Sequence, residues 1–247
     1  MPALKKSTVL FAVLVILTVM AGIIAWRVRF FETAGLFPTA VAGRTIVVDP
    51  GHGGVDPGAH YRGEILEKEL VLSIAEEVRR YLTSAGAEVI MTRTSDRDLA
   101  PPDITSLAAR KRRDLKARVS LANRAKADLY LSIHINSSRD PNKTGVYVFY
   151  SPKPGSKQLA ERIEQEAWRY LGKQRSPLPG TFYILRETEM PAVLVEAGFI
   201  SNPQEKRLLC DKRYQEKVAW VVFRGVVSYF EQPYPGVFKG NDIQQKL

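Results

Sequence analysis

Cysteine is almost missing from this chain: Cys210 stands alone among 247 residues. That excludes an internal disulfide framework and any zinc or iron–sulfur cage built from several cysteines. Histidine is nearly as scarce, with three residues, so any metal site must use nearly all of them. The glycine turn Gly51-His52-Gly53-Gly54 is not followed by Gly-Lys-Ser/Thr and does not open a helix as G-x-G-x-x-G, which argues against a nucleotide site. An HExxH motif is absent, and no nucleophile elbow surrounds Ser132 or Ser137, so a serine hydrolase is not supported. No internal repeat is visible.

What is present begins with an apolar run from Val9 to Ala25, broken only by Thr18 and Gly22. Lys5 and Lys6 precede it; Trp26, Arg27 and Arg29 follow. Residues 8–26 have the length of a transmembrane helix, and the lysines place residues 1–7 in the cytoplasm. Two readings stay open: an uncleaved signal anchor, or a signal peptide cut after Val19-Met20-Ala21 or Ala40-Val41-Ala42. Either way the remainder is exported, and is membrane-anchored on the outer face or secreted. The chain carries +10, and +6 once the four basic residues before Phe30 are set aside. An exported basic domain meets an anionic membrane or wall, and nucleic acid is not expected as a partner.

Residues 27–43 read as a linker and the tail 232–247, with Pro233, Pro235, Gly236 and Gly240, as loose. Between them, residues 44–231 alternate strands with helices. Strands are expected at Thr45–Val48, Ala87–Thr92, Leu129–Asn136, Gly145–Tyr150, Phe182–Leu185 and Ala192–Val195, and helices at Leu66–Leu82, Ala117–Lys126, Ser156–Leu171, Pro203–Leu209 and Tyr214–Phe230. The fold class is α/β: a single domain with a largely parallel twisted sheet flanked by helices, after the N-terminal transmembrane helix. Residues 94–117 form a basic insert, with Pro101-Pro102 and Arg110-Lys111-Arg112-Arg113. It reads either as a solvated helix face or as a docking surface for an anionic polymer or partner protein.

In open α/β sheets, reacting groups gather at the carboxyl ends of strands. Three such ends here deliver Asp49-Pro50-Gly51-His52, then His134 and Asn136, then Glu196. Two histidines and a carboxylate suit a zinc hydrolase, which keeps three protein ligands and one open position. Glu64, Glu67 and Glu69 are candidates for the carboxylate. Helical spacing puts Glu67 on the face of Val71, Ile74 and Val78, which must pack on the sheet. Glu69 shares a face with Ser73, Glu76, Glu77 and Arg80 and points to solvent. Periodicity leaves Glu64 open. His60, between Gly58 and Gly63, reads as a bystander. Asn136, on the same strand face as His134, is a candidate for orienting substrate or water, with a purely structural role as the alternative.

These residues in this order resemble the zinc-dependent N-acetylmuramoyl-L-alanine amidases of the amidase-3 type. The matching pieces are Val48-Asp49-Pro50-Gly51-His52-Gly53-Gly54, Glu67-Lys68, Arg118 with Ala122-Asn123, Ser132-Ile133-His134-Ile135-Asn136, and the run from Met190 to Asn202. The resemblance spans about residues 44–231 and implies His52, Glu67 and His134 as ligands of one Zn2+ per chain, with Glu196 as the catalytic acid/base. It selects Glu67 over Glu64. Peptidoglycan is the implied substrate, cut between N-acetylmuramic acid and L-alanine. The single domain, N-terminal anchor and basic insert resemble the germination-specific branch that acts on spore cortex. That branch implies a product leading to muramic-δ-lactam. Separately, the basic insert makes an accessory spore-envelope protein contacting it a candidate partner. The alternative is a zinc amidase or peptidase of the vegetative wall.

Overall fold

A computed structural model of the chain describes residues 18, 20, 22, 40–172 and 175–231. Residues 1–39 form one compact unit, in which Thr18, Met20 and Gly22 are helical and exposed; residues 40–247 form the other. Among the described residues no helix is long and apolar enough to cross a membrane. Apart from Thr18, Met20 and Gly22, the expected anchor at 8–26 lies outside the described residues, as do nearly all of the linker and the loose tail.

The second unit is a six-stranded sheet between two helical layers, beside a two-stranded ribbon of β2 (His60–Tyr61) and β3 (Ile65–Leu66). β1 (Thr45–Pro50) lies between β4 (Glu88–Met91) and β5 (Leu129–Asn136), and β5 pairs with β8 (Ala192–Phe199), all in parallel. β6 (Tyr147–Tyr150) joins β8 antiparallel and carries the two-residue β7 (Leu178–Pro179) in parallel. The sheet is therefore mixed but mostly parallel, in the order β4-β1-β5-β8-β6-β7.

Period-two alternation divides the core. Ile46, Val48, Leu129, Leu131, Ile133, Val193 and Val195 bury one face under α1 (Glu67–Ser84), α3 (Ser156–Leu171) and α6 (Lys212–Glu231). Val47, Tyr130, Ala192 and Leu194 bury the other under α2 (Leu107–Arg124) and α4 (Tyr183–Glu187). Both faces are covered, which is why the central strands read as nearly continuous apolar runs. α5 (Pro203–Leu209) follows β8, capped by Asn202, whose side chain accepts from the backbone N–H groups of Gln204 and Glu205.

Two expectations need correction. The strand expected at Phe182–Leu185 is the short helix α4. Ile184 and Leu185 are both buried though adjacent. A strand would send them to opposite faces, whereas one helical turn turns both toward the sheet. The helix expected from Ala117 begins at Leu107 and takes in Arg110–Arg113 of the basic insert. Arg110 is held there by Asp98, at 2.8 and 2.9 Å.

Candidate active site

Because β1, β5 and β8 run parallel, their carboxyl ends meet at one edge. Pro50 is in register with Ile133, and His134 with Glu196. The chain leaves β1 at Gly51, against the imidazole of His134, where a Cβ would overlap the ring. His52 then takes a left-handed conformation, φ 59°. That conformation is uncommon for a residue with a Cβ and is kept only where the surroundings enforce it.

Two buried arginines supply the enforcement. Arg93 donates to the carbonyls of Pro50 (3.0 Å), Gly51 (2.8 Å) and Lys68 (2.8 Å). Arg118, from α2, donates to the carbonyls of Pro50 (2.8 Å) and His52 (2.5 Å) and pairs with Asp49 (2.7 Å) and Asp114 (2.9 Å). Burial would raise the Asp49 carboxyl, but the Arg118 guanidinium and the Thr92 hydroxyl outweigh it and hold it near about 2. Lys68 pins the same turn, with Nζ 2.9 Å from the Gly54 carbonyl and 2.7 Å from Asp96.

Glu67 opens α1 and is 2% exposed. Its Oε2 accepts from Ala59 N–H at 2.6 Å and its Oε1 from Ile135 N–H at 2.9 Å. Oε1 also lies 3.2 Å from His52 Nε2 and 2.9 Å from His134 Nδ1. One donor atom from each of His52, Glu67 and His134 falls within 4.8 Å of the others. Ligand atoms around a tetrahedral zinc lie roughly 3.4 Å apart, given bonds of about 2.1 Å. Two nitrogens and a carboxylate oxygen at this spacing fit one such ion.

The local field agrees. Burial disfavours a charged imidazole at His52, yet the carboxylates of Asp56 and Glu67 override it and raise the ring to about 9. Burial works to raise Glu67 too, but the two imidazoles hold it well below the ordinary range. The pocket thus favours positive charge between these groups. Asp56 Oδ2 lies 2.9 Å from His52 Nδ1, the ring nitrogen turned away from the cluster, and 3.1 Å from Lys111 Nζ.

Glu196 faces the cluster from β8. It is 8% exposed, and Oε2 is buried without a hydrogen-bond partner. Burial first, and the Glu67 charge second, push its carboxyl up to about 8. A buried acid with an unused oxygen has an uncompensated cost unless something enters to meet it. The cavity into which it opens, of about 300 Å3, is also lined by His52, Glu67, His134 and Asn136 and walled by Phe182 and Tyr183.

The structure therefore brings His52, Glu67, His134, Asn136 and Glu196 to one cavity. Glu64 and Glu69 are exposed. His60 is exposed on the two-stranded ribbon and is not part of the cluster. Ser132 is a support for Asp49, donating at 2.8 Å to its Oδ2. Sequence reading missed Asp56, Arg93 and Lys111. Asp56 had one signal, a carboxylate four residues after His52 in a glycine turn.

A mostly parallel α/β sheet whose carboxyl edge gathers two imidazoles, a carboxylate and an orphaned acid has the make-up of a single-metal hydrolase. Comparison with known proteins makes this specific: the N-acetylmuramoyl-L-alanine amidase family model (Amidase_3) matches residues 46–228, and the chain belongs to that family. It is 40% identical over 195 residues to the germination-specific N-acetylmuramoyl-L-alanine amidase of Bacillus subtilis strain 168, covering 78% of this chain and 82% of the relative. Among solved structures, the CwlD amidase of Clostridioides difficile in complex with the GerS lipoprotein superimposes with a TM-score of 0.74 at 34% identity, over 76% of this chain and 99% of that one. The catalytic domain of CwlV, an amidase of Bacillus (Paenibacillus) polymyxa var. colistinus, gives 0.67 at 32% identity, over 76% and 98%. The expectation of an amidase acting on peptidoglycan holds.

Proposed function

We propose that the chain hydrolyses the amide between the lactyl carbonyl of N-acetylmuramic acid and L-alanine, with His52, Glu67 and His134 holding one zinc ion and Glu196 moving the proton. The observation that carries this reading is Glu196 facing the His52–Glu67–His134 cluster with a buried, unpartnered oxygen. When bound there, zinc supplies Lewis acidity, easing ionisation of water and stabilising charge on the amide oxygen. Glu196 accepts the proton of the attacking water on its free carboxylate oxygen. It returns that proton to the alanine nitrogen as the C–N bond breaks, leaving a free amine and a muramic acid carboxylate. A carboxyl raised by burial suits both halves of this cycle near neutral pH. Asn136, lining the same cavity, orients the substrate amide. Asp56 fixes the ring of His52 so that Nε2 faces the cluster.

The substrate is spore-cortex peptidoglycan, with the product leading to muramic-δ-lactam. Likeness to the germination-specific relative and to the clostridial enzyme supports this, and the latter's complex supports an accessory lipoprotein partner here too. The domain acts outside the cytoplasmic membrane, held by the apolar run at 8–26 or released from it.

Digestion of purified peptidoglycan with and without a chelator, with the products identified by mass, tests the reaction. Stem peptides with free L-alanine amines, lost on chelation and restored by zinc, are expected. Cleavage inside the stem peptide would instead make the enzyme a peptidase.

A further inference from the structure

α2 lines both the catalytic cavity and a neighbouring groove. The helix presents two adjacent stripes. Lys111, Asp114, Leu115 and Arg118 line the cavity itself. Ala109, Arg112, Arg113 and Lys116, at spacings of three and four residues, form the neighbouring stripe. This second stripe lines an open groove of about 680 Å3 that shares Leu115 and Tyr183 with the catalytic cavity. The basic residues of α2 are not equivalent. Arg110 is tied to Asp98, Lys111 to Asp56 and Arg118 to Asp49 and Asp114. Arg112, Arg113 and Lys116 are exposed and make no ion pair among the described residues. Three unpaired cations thus border a groove that shares two lining residues, Leu115 and Tyr183, with the reaction cavity.

We infer that this groove is a subsite for the carboxylates of the substrate's stem peptide, with Arg112 and Arg113 as its principal cations. The inference rests on the amidase reading above. The chemistry of the substrate selects the ligand. The acetylated glycan is uncharged and the lactyl carboxyl is consumed in the scissile amide, so the substrate's negative charge lies on the peptide. Its first carboxylate belongs to the second residue, isoglutamate, ~7 Å beyond the scissile bond at about 3.5 Å per residue. A γ-linked residue leaves its α-carboxylate free, and a diamino acid after it adds another. A guanidinium donates two hydrogen bonds in a fork to a carboxylate, which suits arginine for this position. Tyr183 lines both the cavity and the groove.

The test uses the full chain loaded with zinc and two soluble N-acetylmuramoyl peptides, one with free isoglutamate and diaminopimelate carboxylates and one with both amidated. The unmodified chain should cleave the free-acid substrate about tenfold better in kcat/KM, since each exposed charge pair contributes roughly two- to fivefold. Arg112→Gln/Arg113→Gln should lose that tenfold on the free-acid substrate and little on the amidated one, with unchanged melting temperature and zinc content. Added salt should narrow the difference between substrates in the unmodified chain only. Equal rates on both substrates, or a variant impaired equally on both, would overturn the subsite. A variant with normal kinetics on both would assign the stripe to a protein partner or a wall polymer. If the unmodified chain releases L-alanine-terminated peptide from neither substrate, the amidase reading itself falls, and the subsite with it.

Discussion

His134 and Glu196 are register partners on adjacent parallel strands, β5 and β8. Paired residues in a sheet project from the same face, so one β-ladder sets the separation of an imidazole of the His52–Glu67–His134 cluster and the acid beside it. Neither side chain depends on a flexible loop for its place. Only His52 does, and the two buried arginines Arg93 and Arg118 make that loop rigid.

Glu196→Gln keeps the size of the side chain and removes its capacity to exchange a proton. Turnover of muropeptide should fall by at least about 10²-fold, the lower range for general acid–base catalysis. Zinc content, measured by atomic emission, should stay at one per chain. Substantial remaining hydrolysis would take Glu196 out of its role.

Asp56→Asn keeps the shape beside His52 Nδ1 and removes the charge. Loss of a carboxylate behind a metal-binding histidine weakens metal affinity by roughly 10–100-fold. Competition with a chromophoric chelator should show a drop of this size. Unaltered affinity would mean that the 2.9 Å contact does not orient the ring.

Arg118→Met leaves Asp49 and Asp114 without their buried partner. Breaking a buried ion pair from one side costs about 3–5 kcal/mol. For a domain of this size that corresponds to a melting temperature lower by about 10 °C. Arg118→Met/Asp49→Asn should regain part of the loss, because one of the two uncompensated charges is gone. A single variant as stable as the parent would show that the network contributes nothing to folding.

Glu164, on α3, is 3% exposed, accepts from Val148 N–H at 3.1 Å and has a second buried oxygen with no partner. Burial raises its carboxyl from 4.5 to about 7, against the pull of the Val148 N–H and of Arg175. Between these values the folded chain keeps a proton that the unfolded chain has released. Its contribution to stability therefore declines as pH rises through this window and is level above it. Urea unfolding at pH 5 and pH 7.5 should show Glu164→Gln gaining on the unmodified chain as pH rises. A constant difference between the two proteins would refute this.

Much of the site was legible in the residues. His134 stood out because β5 alternates cleanly, with Leu129, Leu131, Ile133 and Ile135 on the opposite face. Glu67 was separable from Glu69 because α1 has one apolar stripe, and Val71, Ile74 and Val78 are indeed buried on it. Arg93 was not legible, since all its partners are carbonyls, most of them 25–43 residues away, and carry no side-chain signature. Asp56 and Lys111 meet only because α2 packs beside the glycine turn. The basic cluster Arg110–Arg113 looked uniform, although helical spacing and distant acids split it into paired and unpaired cations. α4 was misread because a five-residue element has too few residues for its period to show.

Local periodicity and motif order alone determined the α/β class, the strands that lead to His52 and carry His134 and Glu196, and the helix that begins with Glu67. These depend on neighbours along the chain, and a backbone period of 2 or 3.6 records them directly. The strand order, the antiparallel seating of β6, the clasp of Arg93 and Arg118 on the His52 loop and the groove beside Arg112 and Arg113 were decided by tertiary structure. Each joins segments tens of residues apart, and contacts of that kind exist only once the sheet has brought its strand ends to a common edge.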